Sequence, residues 1–238
     1  MSTDSFILSP GKSYLTDLIP QVLTSAPHNL RLASLSLDDL YLPHAELSDL
    51  TARYPGNKLL NGRGQPGTHD LPLAIECFRQ LASANEPSFH GKEIHLPIYD
   101  KSQYCGKGDR SKETVEVRGP IDVVIFEGWA TGFHSIPPAD LTATYREAQK
   151  APLKFARENY GYDTPFFLEH DLDHLQQVNQ FLKQYVDDLW KHLHCFIQLS
   201  PQSMSFVWKW RLQQEHNMKA KNGGIGMSDE EVKAFIGR

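Results

Sequence analysis

The sequence has little of what marks a secreted, disulfide-bonded or membrane-spanning protein. Its three cysteines, Cys77, Cys105 and Cys195, lie far apart in the 238-residue chain and form no metal-type pair. This spacing argues against a disulfide framework and indicates a reducing compartment. No apolar run approaches the roughly 20 residues that a transmembrane helix needs, and no signal-peptide pattern opens the chain. We therefore expect a cytoplasmic protein without a membrane partner, with the nucleus as a second compartment.

An excess of positive charge is also missing. The formal net charge is −5 at pH 7, so no general attraction draws the chain to nucleic acid or to an anionic membrane. Any anion that the protein binds must be held by a local site. Hydrophobic residues make up 40% and charged residues 22% of the sequence, which is typical of a globular protein. The length suits one large α/β domain.

Short apolar segments alternate with helical patterns along the chain. The alternation predicts a doubly wound, mostly parallel sheet flanked by helices. Residues 121–126 are almost wholly apolar, which is typical of a strand buried on both faces. Residues 99–112 are polar and contain glycine, and they are predicted to form a loop. The predicted strands are 6–8, 30–37, 93–98, 121–126 and 195–199, and the main predicted helices are 14–24, 46–54, 71–84, 137–150, 171–192 and 203–219.

The stretch Pro10-Gly11-Lys12-Ser13 matches the second half of a phosphate-binding P-loop. In a complete P-loop, G-x-x-x-x-G-K-[ST], backbone N–H groups cradle the phosphates, Lys reaches the β/γ-phosphates and Ser or Thr holds Mg²⁺. Gly11, Lys12 and Ser13 fit the last three positions, whereas Phe6 stands at the first glycine. By itself the tripeptide also fits an ordinary loop leading into a helix.

Two carboxylates follow predicted strands directly, Asp38 and Glu127. In sheets of this kind ligands bind outside the carboxyl ends of the strands, and an acid placed there is costly unless it faces a cleft or a cation. With Lys12 and Ser13, these residue types predict phosphoryl transfer. Lys12 would neutralise phosphate charge, Ser13 and one acid would position Mg²⁺, and the other acid would accept the proton of an attacking hydroxyl. The alternative is that each carboxylate caps the turn that follows it.

At these residues the sequence resembles a known group of proteins. The segment from Ser36 to Tyr41 (SLDDLY) resembles the S-x-D-D-F-Y segment of P-loop small-molecule kinases related to uridine kinase, phosphoribulokinase and pantothenate kinase. A closer resemblance, to the D-glycerate 3-kinase family of plants and fungi, covers most of the chain from Gly11 to Arg238. It rests on five stretches: 55–57 (PGN), 62–70 (GRGQPGTHD), 99–102 (YDKS), 108–110 (GDR) and 126–129 (FEGW).

The resemblance implies ATP- and Mg²⁺-dependent phosphorylation of a small hydroxy acid, with D-glycerate as the leading candidate. Asp38 matches the general base, Glu127 matches the metal-binding acid, and Gly11, Lys12 and Ser13 match the ATP site. A lid is implied at about residues 203–226, where Arg211 would reach the transferring phosphoryl group. The residues expected to bind the acceptor are Asp39, Tyr41, Arg63, His69, Asp70, Lys101 and Arg110.

The sequence departs from the family at both ends. The family begins with a full strand and an intact P-loop and continues past the lid. We expect this chain to form one domain, 1–238, and to be clipped at both ends relative to the family. Two functions therefore stay open: an active kinase, or a non-catalytic relative that binds nucleotide weakly. Asp38 and Glu127 favour the kinase, because a pseudoenzyme has no need of them, whereas Phe6 favours the relative.

Overall fold

The computed structural model describes residues 11–160, 165–199, 205–221 and 226–236. The helices in these ranges are α1 (Gly11–Thr24), α2 (His44–Arg53), α3 (Leu71–Ser83), α4 (Gln103–Gly106), α5 (Pro138–Lys150), α6 (Pro152–Tyr160), α7 (Leu172–Asp188), α8 (Ser205–Lys221) and α9 (Asp229–Ile236). The strands are β1 (Leu32–Ser36), β2 (Glu93–Asp100), β3 (Asp109–Arg118) and β4 (Val123–Glu127). Short 3₁₀ helices lie at Leu37–Leu40, Lys58–Leu60, Pro87–Phe89, Phe166–Glu169 and Trp190–His192.

The strands form two pairs. β1 runs parallel to β4, with Ser36 opposite Glu127, and β2 runs antiparallel to β3. The predicted α/β class with parallel strands is confirmed, while the doubly wound sheet stays a prediction. Because β1 and β4 are parallel, the residues that follow them emerge at the same edge of the sheet.

Helix α3 shows how the local sequence specifies an element. The side chain of Asp70 accepts a hydrogen bond from the N–H of Leu73 and caps the helix, and Pro72 occupies the first turn. The buried face follows a helical period and packs on β1 and β2. That face consists of Ala74, Cys77, Phe78 and Leu81. The predicted helix 71–84 and its cap are confirmed.

Three sequence-based predictions are wrong. The apolar run 121–126 predicted burial on both faces, but β4 is only partly buried and Val124 is exposed. The loop expected at 99–112 is shorter, because β2 continues to Asp100 and β3 begins at Asp109. β3 is mostly exposed and has only a weak apolar alternation, at residues 114–117, so its pairing with β2 rather than burial makes it a strand. Residues 195–199 belong to no strand of the described chain, and Ile197 is 75% exposed. Their apolar character alone does not supply the hydrogen-bonding neighbour that a strand requires.

Compactness divides the chain into two units. The sheet unit (Pro20–Pro138 and Leu172–Phe196) contains all four strands with α2, α3, α4 and α7. The helical unit (1–19, 139–171 and 197–238) contains α5, α6, α8 and α9 among its described residues. α1 starts in the helical unit and ends in the sheet unit. The single domain expected for 1–238 stays a prediction.

The helical unit is held by its own contacts. The hydroxyl of Tyr145 on α5 donates to the carbonyl of His170 at 2.8 Å, and the rings of Phe166 and Trp208 lie 5.4 Å apart. The predicted lid segment, 203–226, contains helix α8. The predicted strand 6–8 and its Phe6 lie outside the described residues. In the described chain, no helix combines the length and apolar character that crossing a bilayer requires.

Candidate active site

The carboxyl edge of the parallel pair gathers the two acids that follow it. Ser36, the last residue of β1, donates from Oγ to Oε1 of Glu127 on β4 at 2.6 Å. The same Oγ accepts from the backbone N–H of Asp38 at 3.2 Å and so caps the 3₁₀ helix Leu37–Leu40. One serine therefore fixes both acidic segments, and the expected position of Asp38 and Glu127 at strand ends is confirmed.

Asp38 carries two further contacts. Lys101 Nζ lies 2.6 Å from its Oδ2, and the hydroxyl of Tyr41 donates to its Oδ1 at 3.2 Å. The side chain of Lys101 is 53% exposed and that of Asp38 is 30% exposed, so this ion pair faces solvent. A partly exposed carboxylate held from two sides is oriented and still accessible to a small molecule.

Asp39 faces a different environment from Asp38. Its Oδ1 accepts from the backbone N–H of Tyr99 on β2 at 3.1 Å. Burial raises the pKa of the Asp39 carboxyl, an effect that the hydrogen bond from Tyr99 partly opposes. The two adjacent acids therefore have different roles. Asp39 ties the 3₁₀ helix to β2, whereas the carboxylate of Asp38 stays partly exposed.

Tyr41 and His69 are brought together by a short backbone pairing. Residues 40–42 lie antiparallel to 68–70, with N–H groups of Leu42 and Asp70 donating to the carbonyls of Thr68 and Leu40 at 3.0 and 2.8 Å. The rings of Tyr41 and His69 stack with centroids 4.3 Å apart. Burial lowers the pKa of His69 to about 3, so its imidazole is neutral near pH 7.

Asp70 and Arg110 form a second ion pair, which adjoins this backbone pairing. Arg110 Nη2 lies 2.9 Å from Oδ2 of Asp70 and donates to the carbonyl of Tyr41 at 2.9 Å. The Arg110 side chain is only 25% exposed. Since Asp70 also caps α3, the pair ties β3 to that helix; acceptor binding by Asp70 and Arg110 stays a prediction.

Arg63 lies in the loop 62–70 and contacts the β2–β3 connection. Its guanidinium donates to the carbonyls of Gly106, at 2.8 Å, and Lys107. Gly108 has a φ of +84°, and a Cβ there would lie 2.4 Å from the ring of Tyr99. The two loops expected to line the acceptor pocket therefore touch each other through Arg63.

The remaining site residues belong to the helical unit. Gly11, Lys12 and Ser13 form the first turn of α1, which begins three residues earlier than the predicted helix. Arg211 lies on α8 and donates to Gln214 Oε1 at 2.9 Å. Their roles in ATP binding and phosphoryl transfer stay predictions.

Sequence reasoning missed three residues that build this site. Ser36 was part of the quoted motif, and a hydroxyl at the end of a buried strand signals a cap. Tyr99 contributes its backbone N–H to Asp39, which no sequence pattern reveals. Tyr185 lies among the apolar residues of α7, but a buried phenol needs a hydrogen-bond partner, and here that partner is His69.

Fold and site together define an α/β protein with an acidic site at the carboxyl edge of parallel strands. A solved D-glycerate 3-kinase from Cryptococcus neoformans is 48% identical, has a TM-score of 0.86, and covers 96% of this chain and 73% of that one. The chloroplastic D-glycerate 3-kinase of Arabidopsis thaliana is 34% identical over 208 residues, which are 87% of this chain. The probable ATP-dependent kinase TDA10 of Saccharomyces cerevisiae is 35% identical over 206 residues, or 85% of this chain.

The chain belongs to the D-glycerate 3-kinase family, as its sequence motifs predicted. It spans 39% of the length of the Arabidopsis protein and 62% of the length of the yeast kinase. No family model matches the sequence.

Proposed function

We propose that this protein is an ATP-dependent kinase with a P-loop kinase fold that phosphorylates a hydroxyl group of D-glycerate. The observation that carries the proposal is the oriented carboxylate of Asp38, held by Lys101 and Tyr41 at the edge where β1 and β4 end. Relatives that are named kinases, including two D-glycerate 3-kinases, support the reaction class. They do not favour the alternative of a non-catalytic nucleotide binder.

In this proposal Asp38 is the general base. The acceptor hydroxyl lies against the open side of its carboxylate, gives up its proton to it and attacks the terminal phosphorus of ATP, whose bond to the bridging oxygen breaks so that ADP leaves. Lys101 and Tyr41 hold the carboxylate in one orientation before the acceptor arrives. Such fixed positioning supplies much of the catalysis in phosphoryl transfer, since the protein contributes little covalent chemistry.

The acid group of the substrate requires a cation. Arg110 is tied to Asp70, and Arg63 is bonded to two backbone carbonyls, whereas Lys101 is half exposed and adjoins the proposed base. We assign Lys101 to the substrate carboxylate, with Arg63 and Arg110 shaping the pocket around it. This arrangement gives the predicted binding residues distinct tasks.

The donor set near Glu127 fits Mg²⁺ bound together with ATP. Within the described ranges, no group of three or more His, Cys, Asp or Glu side chains is placed to hold a metal ion. Mg²⁺ commonly uses one or two carboxylates together with substrate phosphates and water, and the carboxylate of Glu127, fixed by Ser36, suits that mode. When bound, the ion would neutralise charge on the phosphates. Glu127 would be one of its ligands; the metal-binding role of Ser13 and the nucleotide-binding roles of Gly11 and Lys12 stay predictions.

The proposal is tested with the intact chain and Mg-ATP. We expect ADP formation that depends on D-glycerate, and we expect Lys12→Ala to abolish it, because the phosphates would lose their main cation. Lys92→Ala, which changes a lysine outside the site, is the matched control. Turnover that survives in Lys12→Ala would refute the P-loop assignment, and a wild-type protein that phosphorylates no D-glycerate would refute the proposed function.

A further inference from the structure

A buried hydrogen-bonded pair links helix α7 to the proposed acceptor pocket. The hydroxyl of Tyr185 lies 2.7 Å from Nδ1 of His69. Tyr185 is fully buried and His69 is only 5% exposed. Both polar groups are shielded from water. Which of them donates in this hydrogen bond therefore depends on neighbouring protein groups and not on solvent.

The hydrogen bonds around Tyr185 fix which nitrogen of His69 carries the proton. The backbone N–H of Gly67 donates to the phenol oxygen at 2.9 Å, and the backbone N–H of His69 also acts on that oxygen. With its oxygen accepting from the backbone, Tyr185 has its own hydrogen left to donate to Nδ1. A neutral imidazole that accepts at Nδ1 carries its hydrogen on Nε2.

That Nε2–H is a buried donor without a hydrogen-bond partner in the part of the chain that the structure describes. Leaving such a donor unsatisfied is costly, and buried polar groups in native proteins are generally paired. The ring that carries it stacks on Tyr41, whose hydroxyl contacts Asp38. The charge of Asp38 also acts on His69, in agreement with this chain of contacts through Tyr41.

We propose that Tyr185 is a positioning residue that holds His69 as the Nε2–H tautomer, so that Nε2–H donates to an oxygen of the hydroxy acid. The proposal rests on the proposed function for the identity of that oxygen. His69 then acts as a fixed, neutral donor beside the base and does not exchange a proton during the reaction. The hydroxyl of Tyr185 bonds His69 and the backbone of the loop 62–70, and Tyr185 acts on the substrate through them.

The tautomer is measured directly by nitrogen NMR on protein labelled with ¹⁵N-histidine. Of the 11 histidines, the signal of His69 is assigned by its loss in His69→Gln. We expect the ligand-free wild type to show an unprotonated Nδ1 and a protonated Nε2 at His69. In Tyr185→Phe the donor to Nδ1 is removed, and we expect a mixture of both tautomers at this residue.

Steady-state kinetics then distinguish a positioning role of Tyr185 from a purely structural one. We expect Tyr185→Phe to raise the KM for D-glycerate about tenfold, since one hydrogen bond in the pocket is weakened, and to change the KM for ATP less than twofold. Tyr145→Phe is the matched control, because it too removes the hydroxyl of a buried tyrosine. The hydroxyl of Tyr145 lies in the helical unit and donates to the carbonyl of His170. We expect this control to leave both KM values unchanged.

Each result has one meaning. A wild-type His69 protonated on Nδ1 overturns the inference even if Tyr185→Phe fails to fold. An unchanged tautomer and an unchanged KM for D-glycerate in a folded Tyr185→Phe protein also overturn it. The tautomer is read without substrate, so a protein that phosphorylates no D-glycerate would refute the proposed function while the Tyr185–His69 assignment is still tested independently.

Discussion

Replacing Asp38 by Asn tests the proposed base most directly. The amide has nearly the same shape as the carboxylate, but it cannot accept the proton of the acceptor hydroxyl. General base catalysis contributes about 10²- to 10⁴-fold to a rate, which corresponds to about 2.7–5.4 kcal/mol of barrier. We therefore expect Asp38→Asn to lower kcat by at least about a hundredfold.

The effect of the same change on stability is expected to be much smaller. Asp38 loses its ion pair with Lys101, whose side chain is 53% exposed, and solvent-exposed pairs contribute only about 0.2–1 kcal/mol. The contact between the hydroxyl of Tyr41 and Oδ1 can survive, because the amide oxygen also accepts a hydrogen bond. The loss in kcat should therefore exceed any loss of folded protein by a wide margin.

The assay combines steady-state kinetics with calorimetry of Mg-ATP binding. Asp122→Asn is the control: Asp122 pairs with Arg31 at the opposite end of β4 and lies outside the site. We expect the control to retain kcat and Asp38→Asn to retain ATP affinity. Equal losses of kcat and ATP affinity in Asp38→Asn would make Asp38 a metal-binding or structural residue, and a kcat within threefold of wild type would refute the general-base role.

Two further predictions concern the loop 62–70. Gly67 has a φ of +99°, and a Cβ there would lie 2.4 Å from the ring of Phe181, so we expect Gly67→Ala to lower the free energy of unfolding in urea by about 2–4 kcal/mol. Gly62→Ala, with a φ of +86° and open space around its Cβ position, should cost only about 1–2 kcal/mol, and equal costs would contradict the close packing on Phe181. Burial lowers the pKa of His69 to about 3, so this residue binds fewer protons in the folded than in the unfolded protein. The free energy of unfolding should therefore rise between pH 3 and about 6.5, by up to about 1.4 kcal/mol per pH unit. This slope should be reduced in His69→Gln in urea titrations at several pH values, and an unchanged slope would contradict the burial of a neutral imidazole.

Several elements of this protein could be predicted from local sequence signals. Helix α3 carries its own start signal in Asp70 and Pro72 and its own apolar period, so its bounds were predicted to within one residue. The strand ending at Glu127 was recognised from its apolar run, although it is only partly buried and Val124 is exposed. The family was recognised from motifs such as GRGQPGTHD, whose length makes chance agreement negligible.

Pairings between distant segments could not be predicted in this way. Residues 195–199 are as apolar as a buried strand but are exposed and unpaired within the described chain, because pairing depends on a neighbour that local sequence does not specify. β3 is polar and yet a strand, because β2 supplies its hydrogen bonds. For the same reason the hydrogen bond between Tyr185 and His69 could not be predicted, because in the sequence Tyr185 is one of several apolar residues at helical spacing.

The sequence alone determined which residue types were available for phosphoryl transfer and that Asp38 and Glu127 follow strands. Only the tertiary structure decided how they are used: Ser36 bridges both acidic segments, Lys101 pairs with Asp38, and Asp39 is turned toward β2. The reason is physical. The type of a side chain sets what it can donate or accept, but its partner is set by contacts between segments far apart in the chain, which exist only after folding.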